Sequence, residues 1–118
     1  MSTYFIEVPG QCVPCPRPRA RRGKRAYYPV RYTDWLESAR YEALRAVGKV
    51  LWECPVSLVV TFYGARPNAD IDNLLKSAMD ALQGIVIVDD KQVVFVTAEK
   101  RASKDSRTEI QVGEAVTP

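Results

Sequence analysis

The stretch Val56-Ser57-Leu58-Val59-Val60-Thr61-Phe62-Tyr63, followed by Asp70-Ile71-Asp72-Asn73-Leu74-Leu75-Lys76-Ser77-Ala78-Met79-Asp80-Ala81-Leu82, decides the fold class. Its first half alternates Val56, Leu58, Val60 and Phe62 against Ser57, Val59, Thr61 and Tyr63, and Val56, Val59, Val60 and Thr61 are β-branched. That pattern predicts a central strand. In the second half the period changes. At about 100° per residue, Asp72, Asn73, Lys76, Ser77, Asp80 and Gln83 fall on one side of a helix, and Leu74, Leu75, Ala78, Met79, Ala81 and Leu82 on the other. Asp72 is expected to open this helix and Gly84 to end it.

Outward from there, Thr3 to Val8 alternates as a half-buried first strand that Pro9-Gly10 terminates. Residues 9–29 hold five prolines and two glycines, a composition that resists helix and central strand and predicts an extended arm over 9–31. From Thr33 to Val47, Trp35, Leu36, Ala39, Ala43, Leu44 and Val47 recur at helical spacing, with Thr33 or Asp34 as N-cap and Gly48 as the stop. Val93 to Lys100 and Arg107 to Val112 read as two strands joined into a hairpin by the polar Arg101 to Ser106 turn, and the tail after Gly113 as frayed. The resulting order is β, arm, α, β, α, β, β. It predicts an α+β class: a single domain over 1–118, one mixed β-sheet with two α-helices packed on it and a basic N-terminal arm, its strand order left open.

A chain of 118 residues with 47% hydrophobic content supports one core. Its longest apolar run, Val56 to Phe62, falls far short of the roughly 20 residues that span a bilayer. Met1-Ser2-Thr3-Tyr4 lacks the basic and apolar regions of a secretory signal, so a cytoplasmic, reducing location is expected, with Cys12, Cys15 and Cys54 as free thiols. One Cys12-x-x-Cys15 pair without a second ligand pair is weak evidence for zinc, and no βαβ pattern beside it supports a redox motif.

Charge is unevenly spread. Pro16 to Arg31 carries seven basic residues, and all 14 acidic residues lie elsewhere. Arg17, Arg19, Arg21, Arg22, Lys24 and Arg25 are therefore the candidate nucleic-acid-binding residues, a cationic segment beside a mildly acidic body. Tyr27 and Tyr28, next to the run, are placed to stack on unpaired bases. The chain contains no histidine, which excludes imidazole-based zinc sites, histidine nucleases and Ser-His-Asp hydrolysis.

Two acidic sites remain. Asp70 and Asp72 sit at the start of the second helix, where free N–H groups favour negative charge, and Asp89-Asp90 at the boundary before the strand near Gln92. Carboxylates without imidazole or thiolate suit a hard cation, magnesium or manganese, of the kind that hydrolyses phosphodiesters. Lys76, one turn after Asp72, is placed to add positive charge at a phosphoryl group. The ordinary readings are an Asp72 N-cap, i,i+4 pairs of Lys76 with Asp72 and Asp80, and an Asp89-Asp90 turn; local pattern alone favours these.

A resemblance changes the balance. Arg66-Pro67-Asn68-Ala69-Asp70-Ile71-Asp72-Asn73-Leu74-Leu75-Lys76, then Asp80-Ala81-Leu82, then Gly84-Ile85-Val86-Ile87-Val88-Asp89-Asp90-Lys91-Gln92-Val93, resembles the RusA family of Holliday junction resolvases in order and spacing. Val8-Pro9-Gly10 and Pro16-Arg17-Pro18-Arg19 resemble that family's proline- and arginine-rich N-terminal segment, whereas Cys12 and Cys15 depart from it, standing where a proline and often a lysine are expected. The resemblance implies a magnesium-dependent homodimer, largely phage or prophage encoded, that resolves four-way DNA junctions by paired nicks and uses no small-molecule cofactor. It makes Asp70, Asp72 and Asp90 the essential acidic residues, Asp89 their neighbour at the metal and Lys76 a catalytic lysine. The alternatives are a non-catalytic branched-DNA-binding module and a phosphohydrolase acting on a small molecule, the latter leaving the arginine segment without a task.

Overall fold

A computed structural model of the chain describes residues 2–16 and 29–115. Arg17, Arg19, Arg21, Arg22, Lys24, Arg25, Tyr27 and Tyr28, the residues expected to grip nucleic acid, lie outside the described residues. Strands β1 (Thr3–Pro9), β2 (Val56–Tyr63), β3 (Val93–Arg101) and β4 (Arg107–Glu114) form one mixed sheet in the order β1-β4-β2-β3, accompanied by helices α1 (Val30–Ala46) and α2 (Ile71–Leu82). This is the α+β class expected, a mixed sheet with two helices. No helix among the described residues is long and apolar enough to cross a membrane.

The alternation read from β2 holds. Val56, Leu58, Val60 and Phe62 are all buried, and the register carries their phase across the sheet. One inward row runs Ile6, Ile110, Val60, Ala98; the next runs Val8, Thr108, Phe62, Lys100. Against this face α2 lays Leu74, Ala78, Ala81 and Leu82, all fully buried, and α1 lays Tyr32, Trp35, Ala39 and Ala43. Burial of one such leucine contributes about 1.5 to 3 kcal/mol. The other face of the sheet exposes Phe5, Val59 and Phe95.

The expected hairpin does not form. β3 pairs with β2 in parallel and β4 pairs with β2 antiparallel, so β2 stands between the two strands that are neighbours in sequence. The reason is α2: a helix connecting β2 to β3 carries the chain back to the start of β2, where a parallel partner is the natural outcome. The 102–106 connection then arches over the end of β2 to reach its other edge. Gly64 makes that passage possible: at φ +73° it donates its N–H to the Arg101 carbonyl at 2.8 Å, and a Cβ there would lie 2.4 Å from Ser106 Oγ.

Further corrections concern the helix starts and the tail. α1 begins at Val30 behind Pro29, before the expected Thr33 or Asp34, and has no side-chain cap; Thr33 Oγ1 instead donates back to the Val30 carbonyl. Leu44, expected on the buried stripe, is half exposed, because Ala39 and Ala43 make the close helix contact. β4 runs one residue past Gly113, and Ala115 N–H bonds the Pro55 carbonyl, so the chain is tied down to 115.

Residues 10–16 are not a free arm. Gly10 N–H donates to Ser106 O, Gln11 Nε2 to Gly64 O, and Cys15 N–H to Asn73 O. Ser77, expected on the polar face of α2, is fully buried beneath this segment and donates to the Val13 carbonyl at 2.7 Å. Cys12 joins the core, and burial pushes its thiol up to about 12 from an ordinary 9.0.

The linkage has a definite sign. Above the ordinary thiol range an unfolded chain ionises Cys12 while the folded one keeps it protonated, so stability is lost as pH rises from about 9 towards 12. Urea midpoints measured from about pH 8 to 11 should therefore fall less steeply for Cys12→Val than for the parent chain; parallel slopes would contradict the assignment.

Candidate active site

The entry to α2 is held from the opposite side of the chain. Lys100, the charged member of an inward row on β3, donates to the Pro67 carbonyl at 3.0 Å and the Ala69 carbonyl at 2.7 Å, fixing the loop that delivers Asp70. Asp70 takes the N-cap position with extended dihedrals but makes no side-chain cap bond. Asp72, expected to be that cap, lies inside the first turn and accepts the Asn73 N–H at 3.0 Å. Both carboxylates are exposed at the end of the helix where backbone donors concentrate positive potential.

The second acidic site is built around a side chain the sequence reading passed over. Gln92 Oε1 accepts the Val88 and Asp89 N–H groups, each at 2.9 Å, while its Nε2 donates to the carbonyls of Trp52 and Cys54 at 2.6 and 2.9 Å. These four bonds fasten the turn before β3 to the 52–54 segment. Asp89 caps the short 3-10 helix Asp90–Gln92 by accepting the Lys91 N–H at 2.9 Å, and this backbone bond holds its carboxyl below the usual range. Asp90 is turned towards α2.

There Lys76 meets two carboxylates. Its ammonium lies 2.9 Å from Asp80 Oδ1 and 3.3 Å from Asp90 Oδ2, the second contact linking the helix to the turn before β3. The hydrogen bond to Asp80 and the charge of both partners hold Lys76 above its ordinary range, so it is cationic at neutral pH and unsuited to act as a base. Asp80 in turn accepts the Tyr32 hydroxyl at 2.6 Å and lies 3.7 Å from Cys15 Sγ. Burial, then the bond to Asp80, raises the Tyr32 hydroxyl, and burial likewise raises Cys15. Arg40 completes the frame from α1 by donating to the Asp80 and Gln83 carbonyls at 3.0 and 2.8 Å, supplying the positive charge that the last turn of α2 lacks.

Of the sequence-predicted residues, Lys76 and Asp90 are in contact; Asp70 and Asp72 stand on the opening turn of the same helix; Asp89 is engaged as a cap. In chemistry these donors fit a hard divalent cation, since all are carboxylate oxygens and neither Asp70 nor Asp72 is taken up by a side-chain cap. In position they are not gathered: among the described residues no three acidic or thiol groups stand close enough to hold an ion.

The chain matches the family model of endodeoxyribonuclease RusA over residues 9–113, which takes in every residue of this site. It belongs to the RusA endodeoxyribonuclease family. No individual curated protein matches it. Membership implies a nuclease acting on branched DNA, a Holliday junction-resolving endodeoxyribonuclease, and the β2-α2-β3 unit described above lies wholly within the matched residues.

The supporting contacts seen only in three dimensions are those of Lys100, of Gln92 and of Asp80 with Tyr32. Lys100 had a signal, a charge at an inward position of a strand alternating Val96, Ala98, Lys100. Replacing Lys100 by Met removes two charged hydrogen bonds and should lower unfolding free energy by about 1 to 3 kcal/mol in urea titrations. Amide exchange at Ala69 and Asp70 should accelerate in the same variant, and unchanged protection there would show that the loop is held by something else.

Proposed function

We propose that this RusA-family chain is a magnesium-dependent, structure-selective endodeoxyribonuclease that makes paired symmetric nicks in four-way DNA junctions during recombination and repair, with Asp70, Asp72 and Asp90 as metal-holding carboxylates and Lys76 as the catalytic cation. The observation that carries this reading is the Lys76–Asp90 contact, which joins the helix bearing Asp70 and Asp72 to the turn bearing Asp90 in a chain of this family.

Magnesium, for which manganese can substitute, supplies water activation and neutralises charge on the phosphate under attack. The chain's own residues do the rest. Asp70 and Asp72 project from an exposed helix start, where carboxylate rotamers change at little cost, and Asp90 approaches from a turn fixed by Gln92. Asp89 serves the site by holding that turn, and its place among the metal donors is secondary to Asp90. Lys76 keeps its proton, so its contribution is a fixed positive charge for the phosphoryl oxygens as negative charge develops. Arg17, Arg19, Arg21, Arg22, Lys24 and Arg25 supply the cations for phosphate contacts along the arms. A homodimer suits the substrate, because a four-way junction is nearly two-fold symmetric and each subunit then makes one of two equivalent cuts.

The test is a labelled four-way junction and a matched linear duplex, each incubated with and without magnesium. Symmetric nicks on the junction alone, dependent on magnesium and reduced by at least about 1,000-fold in Asp70→Asn with junction binding retained, are expected. Tight binding without cutting in magnesium or manganese would return the chain to the binding-module reading.

A further inference from the structure

Most i,i+4 pairs on a helix surface are loose and weak. The Lys76–Asp80 pair differs in how its acidic member is held. Each oxygen of Asp80 has its own partner: Oδ1 takes the Lys76 ammonium at 2.9 Å, and Oδ2 takes the Tyr32 hydroxyl at 2.6 Å. Tyr32 is 2% exposed on α1, so its hydroxyl is not a surface group. Cys15 Sγ lies 3.7 Å from the same oxygen. The carboxylate is thereby locked between two elements of the fold.

We propose that Asp80 is a positioning residue for Lys76: anchored by the Tyr32 hydroxyl, it holds the ammonium against Asp90 instead of leaving it free on its four-carbon stem. This rests on reading Lys76 and Asp90 as active-site residues. A lysine stem has many rotamers, and an ammonium that must meet a phosphoryl oxygen at a fixed place gains from losing that freedom beforehand. Asp90 alone cannot supply the hold, because its carboxylate is claimed by the proposed metal; Asp80 touches no such site and remains available to Lys76 throughout. Arg40 does not duplicate this work, since it binds the Asp80 backbone carbonyl and not the side chain.

A double-mutant cycle separates positioning from mere stapling of α1 to α2. Single-turnover cleavage of a labelled four-way junction in magnesium, at saturating enzyme, is measured for the full parent chain, Asp80→Asn, Lys76→Met and the double variant, with junction Kd and thermal melts beside each. Asp80→Asn is expected to slow cleavage by about 10- to 100-fold while Kd changes by no more than about twofold. The double variant should be no slower than Lys76→Met alone, because Asp80 acts only through that lysine. Multiplicative losses in the double variant, or parent-like cutting by Asp80→Asn, overturn the proposal. Should Asp80→Asn fail to fold, Tyr32→Phe combined with Lys76→Met runs the same cycle from the anchor's other end. A parent chain that cuts nothing overturns the endonuclease reading, and this proposal with it, which is distinct from a parent that cuts while Asp80→Asn is unaffected.

Discussion

Burial of one helical stripe, Leu74, Ala78, Ala81 and Leu82, against the β2 side of the sheet is the constraint on which the rest of the molecule depends. That stripe fixes the rotation of α2 about its own axis. With the apolar side committed to the sheet, Lys76 is left facing the turn before β3, and the helix start presents Asp70 and Asp72 outward. The same packing sends the chain back along β2 and makes β3 its parallel neighbour, which is what brings Asp90, 14 residues beyond Lys76, within 3.3 Å of it. Fold and candidate site are two consequences of one hydrophobic contact.

Around this unit the molecule spends its polar groups on placement. Lys100 holds the loop before α2, Gln92 holds the turn before β3, Arg40 caps the end of the helix, and Asp80 with Tyr32 fixes the cation between them. Lys100, Arg40 and Tyr32 reach their targets from elements distant in sequence, whereas Asp80 and Gln92 act on near neighbours. Charge-assisted hydrogen bonds of this kind are worth more than neutral ones where water is partly excluded, so they define orientation even at a half-exposed site. The 10–16 segment adds a lid of backbone and thiols over Asn73 and Ser77, tying the start of the chain to the helix that carries the acidic motif.

What could be read from sequence alone follows the range of the interactions involved. β2 and α2 declared themselves through periodicity, a local property, and both end where the residues predicted, at Tyr63 and before Gly84. The spacing of Asp70, Asp72, Asp89 and Asp90 is local too, and places them at the start of α2 and at the turn before β3. The hairpin was misread because strand partners are chosen by the crossover helix, not by the turn between neighbours. Ser77 looked like part of a solvated face until Val13 covered it, and the helix cap was assigned to Asp72 although the chain turns into α2 at Asp70. Asp80 is legible in one dimension only as an i,i+4 partner of Lys76, and the anchoring of its other oxygen by Tyr32 and the bonds of Gln92 to the Trp52 and Cys54 carbonyls are not, because those partners lie elsewhere in the fold.

At the centre stands the proposal that Asp70, Asp72 and Asp90 together hold the divalent metal. It is met most directly by titrating manganese into isotope-labelled protein and following paramagnetic broadening of backbone amides. The account predicts that signals of residues 70–73 and 89–91 broaden together at the lowest manganese concentrations, and that Asp90→Asn weakens the effect at both segments. Broadening confined to one segment, or scattered over the acidic surface, would contradict it.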